Sequence, residues 1–503
     1  MDVINQLLGG FGNALSPSNL AVAFIGVFLG TLVGVLPGLG PTSALAILLP
    51  LTAVLSPTTA IIMMAGIYYG AMYGGSTTAI LLNIPGEVAS VATTLDGYAM
   101  AKQGRAGPAL AVSAIGSFVA GTFGVIGLTF FAPLLAEQAL RFGPPEYAAL
   151  IVLALTIMVS LSGPSLIRGL AAGGFGFVIA MVGISNMSTE PRLTFGFMEL
   201  GGGVDLISVA IGMFAVAEII LAIEESRKAV AIGKIGRLFP SRKDLKQSAP
   251  AMCRGGVIGF IMGLLPGCSP GLTTFLAYDI EKKVSRHPEQ FGKGAIEGVA
   301  APESANNGTS SAGFIPLFAL GIPASPPLAV LLGGLMIYGL QPGPMLFQQH
   351  SEFVWTVIAS MYIGNIMLLV LNLPLVGIWA RLTTVPFGVM APIILVLCII
   401  GSYSVRNSLF DVFITFLFGV LGYFFRKFNW PIVPFVLAFM LEPMLEETYI
   451  QSINMAISGT PVIFFTRPIS LTLIILALAL LVVSVRIKRR DEIRSSMGAD
   501  SEA

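Results

Sequence analysis

Apolar runs of about twenty residues recur along this chain, separated by short polar clusters. In the first half they cover 58–84, 107–135, 146–162, 164–184 and 204–224. Each is read as a helix crossing a bilayer. The stretch 20–55 is equally apolar but is cut by Pro37-Gly38-Leu39-Gly40-Pro41. Its later counterpart, Gly255 to Asp279, has arms of only about 13 residues, short of the ~20 a crossing needs. Basic residues flank it on both sides, Arg254 before and Lys282, Lys283 and Arg286 after. Both segments read as re-entrant hairpins, although two full crossings in 20–55 would preserve the same parity. The pattern predicts an all-α polytopic membrane protein with about 11–12 transmembrane helices.

Composition removes the alternatives. Of 503 residues, 55% are hydrophobic and 11% charged, with a mean hydropathy of +0.88. Soluble domains carry about 25% charged residues, so this chain cannot cover a soluble surface. A net charge of +1 excludes a nucleic-acid reader driven by phosphate neutralisation. Cys253, Cys268 and Cys398 form no CxxC pair, and His287 and His350 leave little for a triad or a transition-metal site. The start, MDVINQLLGG, lacks the basic n-region of a signal peptide.

Charge placement sets an expected topology. No lysine or arginine precedes Lys102, whereas Arg227, Lys228, Lys234, Arg237, Arg242, Lys243, Lys246 and Arg254 crowd one stretch. Arg486, Lys488, Arg489 and Arg490 follow the last apolar run. By the positive-inside rule, residues 226–254 form a basic cytoplasmic loop, the tail is cytoplasmic, and residues 1–19 are external.

The two halves resemble each other. GTLVGVLPGLGP (30–41) lies over GFIMGLLPGCSP (259–270), with Gly26, Gly30 and Gly34 recurring as Gly255, Gly259 and Gly263. GGSTTAILLNIPG (74–86) resembles NGTSSAGFIPLFALGIPA (307–324) once a short insertion is allowed. Gly107-Pro108 answers Gly343-Pro344, and Glu218 answers Glu442. The expected units are 20–225 and 255–449, the second inverted relative to the first. Residues 450–503 then hold one extra helix and the tail.

Inverted repeats with interrupted helices are a signature of secondary transporters. A break survives at membrane depth only where protein, water or ligand satisfies the freed backbone groups. Half-helix N-termini suit carboxylates, and freed carbonyls suit Na⁺. Two breaks are expected per unit. The first comprises Gly38 and Gly40 with Thr42 and Ser43, matched by Gly267 and Ser269 with Thr273. The second comprises Gly75, Ser76, Thr77 and Thr78, matched by Asn306, Asn307, Gly308, Thr309 and Ser310. The four are expected to converge on one midplane site for an anionic substrate. Glu303, Asn83, Gly75 and Gly308 are the candidates for cation coupling.

Plainer readings stand beside these. The glycine stripes fit helix packing, the Pro-Gly tips fit tight turns, and the hydroxyl residues fit helix caps. Asn83 with Ile84-Pro85-Gly86 fits a helix stop, and Glu303 fits a solvated residue before a helix. Glu87 and Asp96 fit loop roles. Arg168, Asp411, Glu218 and Glu442 fit snorkelling or interhelical pairing near segment ends.

At these motifs the sequence resembles a known family. GxLPGxGP, YGGSTTAILLNIPGE and PESANNGTSSAGFIPLFALGIPAS, with FGPPEYAAL (142–150) and FMLEPMLEE, resemble the large integral membrane subunit of the tripartite tricarboxylate transporters. The resemblance spans nearly the whole chain. It implies a bacterial inner-membrane carrier working with a periplasmic substrate-binding protein and a small integral membrane subunit of about four helices. It further implies import of citrate or related carboxylates by symport with a cation, usually Na⁺, without ATP. No other cofactor is implied, and no GxxxxGK[ST] motif occurs. Unit two departs from PGxGP, since Ser269 stands where a glycine is expected. An elevator-like motion of the broken segments past a fixed scaffold is expected. The rivals are C4-dicarboxylates, aromatic acids or other organic anions on the same machinery, a passive anion channel, and an intramembrane enzyme, for which no GxGD motif occurs.

Overall fold

The computed structural model describes residues 3–36, 38–161, 165–185, 187, 189–224, 236–382, 385, 387–456 and 459–499. Pro37 of the first tip and the basic residues Arg227, Lys228 and Lys234 lie outside them. The first half holds α1 (Val3–Ala14), α2 (Pro17–Gly34), α3 (Gly40–Leu48), α4 (Pro57–Leu82), α5 (Val91–Lys102), α6 (Ala106–Ala139), α7 (Pro144–Leu161), α8 (Leu166–Ala180), α9 (Leu206–Ala210) and α10 (Ala217–Glu224). A π-helical stretch, Ile211–Val216, joins the last two without interruption. The second half holds α11 (Arg242–Gly263), α12 (Pro270–Val284), α13 (Glu297–Ala312), α14 (Phe314–Leu320), α15 (Pro326–Ile337), α16 (Pro344–Gln349) and α17 (Ser351–Asn372). It ends with α18 (Val376–Leu382), α19 (Phe387–Arg406), α20 (Leu409–Lys427), α21 (Ile432–Met455), α22 (Ile463–Thr466) and α23 (Pro468–Ala499).

The all-α polytopic architecture is therefore present. Among the described residues, eight helices are long and apolar enough to cross a membrane. The segments drawn as continuous crossings appear as α4, α6, α7, α8 and α9–α10. Two of these do not count among the eight, for physical reasons. Helix α8 has 15 residues, and α4 is diluted by glycine, tyrosine and hydroxyl residues. The basic stretch read as loop to 254 is already helical from Arg242, because Ser241 and Asp244 form a capping box there. A two-stranded ribbon pairing Gly183 with Arg192 was not foreseen.

Glycine contacts fix how the units are built. A Cβ on Gly26, Gly30 or Gly34 would meet the carbonyl oxygens of Met63, Ile67 and Ala71 at 2.5, 2.3 and 2.3 Å. On Gly255, Gly259 or Gly263 it would meet those of Ala301, Ala305 and Thr309 at 2.2, 2.4 and 2.6 Å. Helix α2 thus lies on α4 as α11 lies on α13, backbone to backbone, the packing use of small residues. This register makes Met63, Ile67 and Ala71 the counterparts of Ala301, Ala305 and Thr309. Continued residue by residue, Gly75 answers Gly313, Asn83 answers Gly321, and Pro85 answers Pro323. No insertion is needed.

That corrects the sequence alignment and the second pair of expected breaks. Gly74–Thr78 lies within unbroken α4, and Asn306–Ser311 within unbroken α13. The chain leaves helix later, at Asn83 in unit one and at Gly321 in unit two. Both adopt the left-handed conformation, with φ of 59° and 73°. Two turns that look breakable in sequence hold because α4 is packed on every side; residues 60–82 are buried throughout.

A central core gathers α2–α4, α9–α10, α14, α15 and α17 around Tyr68, Phe314 and Phe318. A smaller core of Ala172, Met213, Phe418 and Phe435 joins α8, the π-helical stretch, α20 and α21. Ion pairs clamp the helix ends. Arg254 holds Glu281 at 2.6 Å across the second hairpin, and Arg467 holds Glu146 at 2.6 Å. Arg426 pairs with Glu218, and Arg406 with Asp411 at 2.6 Å. Glu218 and Asp411 thus take the pairing role expected for them.

Candidate functional site

The four chain reversals meet. Gly38 and Gly40, with φ of 88° and 50°, turn the first hairpin between α2 and α3. Gly267, with φ of 83°, turns the second, and its N–H donates to Ala324 O at 3.0 Å. A Cβ on Gly40 would lie 3.9 Å from the Glu87 side chain, and one on Gly271 would strike Val88 at 2.7 Å. The N-terminal ends of α3, α12 and α15 and the short turn Val88–Ser90 before α5 therefore share one neighbourhood. The segments that meet the two tips are Glu87–Val88 and Ala324, not the expected 74–78 and 306–311.

The hydroxyl residues divide. Ser269 caps α12, accepting from Leu272 N–H at 3.4 Å, and Thr273 donates back to Ser269 O at 3.2 Å. Thr309 and Ser310 donate to Ala305 O and Asn306 O at 2.7 and 2.8 Å, bonds internal to α13. Thr78 donates to Gly75 O at 3.0 Å within α4. These five satisfy helix geometry. Thr42, Ser43 and Thr77 are buried in α3 and α4.

Ser76 does something else. Its Oγ donates to Glu303 Oε2 at 2.5 Å, and Thr93 Oγ1 donates to Glu303 Oε1 at 2.5 Å. Glu303 is 1% exposed, so the reading as a solvated loop residue fails. It sits inside α13 because the register places it against α4 and α5. Asn307 donates to Glu303 O at 3.2 Å. One turn along the same face, Asn306 Nδ2 donates to Glu87 Oε1 at 2.9 Å, and Glu87 is also buried. Two carboxylates from opposite units are thus held by hydroxyl and amide donors alone. A buried carboxylate so placed must be neutral or hold a cation.

Gly75 packs against the Glu87 side chain, where a Cβ would meet Cγ at 2.9 Å. Gly308 packs against Gly256 O, at 2.9 Å from a Cβ. Asn83 is exposed and ends α4; the structure does not bring it to the carboxylates. Sequence reasoning missed Thr93 and undervalued Glu87; the signal for Glu87 was its charge at membrane depth. Asp96 is no loop residue either. Fully buried, it accepts from Tyr278 OH at 2.8 Å and from the N–H groups of Gly294 and Ala295 at 2.7 and 2.8 Å. It ties α5 to the approach to α13.

Comparisons with known proteins agree with this architecture. Residues 20–437 match the tripartite tricarboxylate transporter TctA family. An Agrobacterium vitis protein named "Uncharacterized 52.8 kDa protein in TAR-I ttuC' 3'region" is 45% identical over 494 residues, covering 97% of this chain and 98% of that one. A second, "Uncharacterized protein in TAR-II ttuC' 3'region" from the same organism, is 40% identical over 235 residues, covering 46% of this chain and 97% of its own length. No solved structure matches. The chain is a membrane protein of a transporter family rather than an enzyme family, and it belongs to the tripartite tricarboxylate transporter TctA family.

Proposed function

We propose that this chain is the large membrane subunit of a binding-protein-dependent, Na⁺-coupled importer of tricarboxylates such as citrate. Its partners are a periplasmic substrate-binding protein and a small membrane subunit of about four helices, as the tripartite family implies. The observation that carries the reading is Glu303, buried and held by Ser76 and Thr93 from the other unit, with a hydroxyl oxygen on each of its carboxylate oxygens. Oxygen donors around a carboxylate are the chemistry a hard cation takes. Beside it, helix N-termini without a lysine or arginine receive the anion. The cation and the anion then neutralise each other at the point where both cross.

Units 20–225 and 255–449 act as inverted repeats in the inner membrane, with the start external and the tail cytoplasmic. The separate small core of α8, α20 and α21 supports an elevator-like mechanism, in which a fixed body flanks a moving one. The test is uptake of labelled citrate by cells carrying this chain and its two partners, in sodium and with potassium replacing it. Accumulation that needs sodium and vanishes when this chain is deleted is expected. Accumulation indifferent to the cation removes the coupling; uptake of C4-dicarboxylates or aromatic acids instead reassigns the substrate. Downhill equilibration without accumulation means a channel.

A further inference from the structure

A polar groove of about 550 Å³ opens where the link between α1 and α2, the start of α4 and the start of α17 meet. A chain of side-chain hydrogen bonds crosses its walls. Thr59 Oγ1 donates to Asn19 Oδ1 at 3.0 Å, Asn19 Nδ2 to Asn13 O at 2.9 Å, and Asn13 Nδ2 to Glu352 Oε1 at 2.7 Å. The described lining holds no lysine or arginine; its ionisable groups are His350 and the exposed carboxylate Glu352. Pro17 and Pro57 open α2 and α4, so each of these helix starts has one N–H fewer to offer an anion. Hydroxyl, amide and carboxylate oxygens with little opposing positive charge draw in a hard cation.

One turn further along α2, α4 and α17, the same three helices enclose a void of about 10 Å³, the lower limit for one water molecule. Its walls are small. Ala23 comes from α2, Ala65 and Gly66 from α4, and Gly364 from α17, with Tyr69 and Ser360 as the polar side chains. Thr59, Ile62, Gly66, Tyr69, Tyr73 and Ser76 follow one another at steps of three and four, so they share a face of α4. Tyr73 OH donates to Asn365 Oδ1 of α17 at 2.7 Å, and Ser76 Oγ to Glu303 Oε2 at 2.5 Å. One seam therefore runs from the groove, through the void, to the buried carboxylate. A hydrated cation cannot pass a void of that size, so the seam is closed in this structure.

We propose that this seam is the path by which the coupling cation reaches Glu303, with the groove as its mouth and the void as its gate. This rests on the cation-coupled reading above and on the chain start lying outside, and it adds the route of the ion. The acid is left to the helix N-termini at the hairpin tips, none of which lines the groove or the void. Small walls let a slight withdrawal of α17 from α2 and α4 open the gate. Ser360 donates within its own helix, to Val357 O at 2.7 Å, so that movement costs it no bond.

The experiment uses cells carrying all three proteins, with citrate, a C4-dicarboxylate and an aromatic acid as probes; wild type identifies the acid transported. Variants are built on Cys253→Ser, since Cys253 is an exposed native cysteine. Gly364→Cys puts a thiol at the void, where a Cβ has only Val27 Cγ2 within 4 Å, at 3.6 Å. A membrane-impermeant, positively charged methanethiosulfonate added outside is expected to abolish most uptake, and external sodium to slow the modification. Ser360→Cys repeats the test where Gly364→Cys does not reach the membrane. Gly174→Cys on α8, with nothing within 4 Å of a Cβ, should keep its uptake under the same reagent. Glu352→Gln is expected to raise half-saturating sodium about threefold at low ionic strength, with KM for the acid unchanged and the difference lost in high salt. Full uptake after complete modification at the void, modification indifferent to sodium, or a thiol that the reagent never reaches overturns the route and leaves the transporter reading standing. Unaltered sodium dependence in Glu352→Gln removes the groove as the mouth. Failure of wild type with every probe overturns the route and the transporter reading together.

Discussion

The two units share a backbone plan and divide the chemistry. A Cβ on Gly30 of α2 or on Gly259 of α11 would meet the carbonyl oxygen of Ile67 or Ala305 at 2.3 or 2.4 Å, so both helices lie backbone to backbone on their partners. Yet where unit two carries Glu303, Asn306 and Asn307, unit one carries Ala65, Tyr68 and Tyr69. Where unit one carries Glu87, unit two carries Ser325. Duplicated packing builds the neighbourhood, and unduplicated side chains make it polar in two different ways.

The largest effects should come from the shared plan. Gly30→Leu and Gly259→Leu each drive a side chain into backbone, where no rotamer gives relief. Overpacking of that kind costs about 3 kcal/mol or more. Both variants should fail to accumulate in membranes, while Gly174→Leu, where a Cβ meets nothing within 4 Å, should accumulate normally. Immunoblots of membrane fractions with size-exclusion profiles of the solubilised protein would show this. If one of the pair is tolerated, the units do not share a register.

Much of that plan was legible. Leu-Pro-Gly after a glycine stripe, found twice, marks two helices that pack closely and then reverse. The left-handed turns were harder. Gly74-Gly75-Ser76-Thr77-Thr78 reads as a breaker cluster because such residues compete with helix in water. Here Gly70 and Gly74 are pressed onto α2, at 2.5 and 2.6 Å from a Cβ to Val27 O and Thr31 O, so the glycines are contact surface rather than punctuation. The pairing of Ser76 with Glu303 spans 227 positions and leaves no periodic trace. Glu87 was visible as a charge at depth, but Thr93 looks like any helix threonine. Its importance arises only when α5 folds against α13.

Intermediate effects should fall on the divided chemistry. Glu303→Gln keeps shape and hydrogen-bonding capacity but removes the charge. With Ser76 and Thr93 still present, the protein should fold, and the sodium concentration for half-maximal uptake should rise about tenfold, the scale of one lost charge-assisted contact. Placing a carboxylate at the counterpart, Ala65→Glu, cannot restore it, because Ala65 faces a different set of neighbours. Sodium titration of uptake in the two single variants and the double variant would decide. Unaltered sodium dependence in Glu303→Gln takes Glu303 out of coupling and reduces the difference between the units to packing.

The smallest effect separates the two left-handed turns. Asn83 and Gly321 hold equivalent positions with φ of 59° and 73°. Asparagine tolerates that conformation and glycine adopts it freely, whereas alanine pays about 1–2 kcal/mol for it. At Asn83, which is exposed, Asn83→Ala should cost about 1 kcal/mol and Asn83→Gly almost nothing. Gly321 is enclosed: a Cβ there would also meet Pro342 O at 2.8 Å. Gly321→Ala should therefore lower the thermal unfolding midpoint of the solubilised protein clearly more than Asn83→Ala does. Equal shifts would mean that only φ matters at these turns, and that the tighter enclosure of unit two contributes nothing. Unequal shifts would show that the fold repeats a backbone conformation while the surroundings decide which residue can supply it, as they do four residues on, where Glu87 stands in one unit and Ser325 in the other.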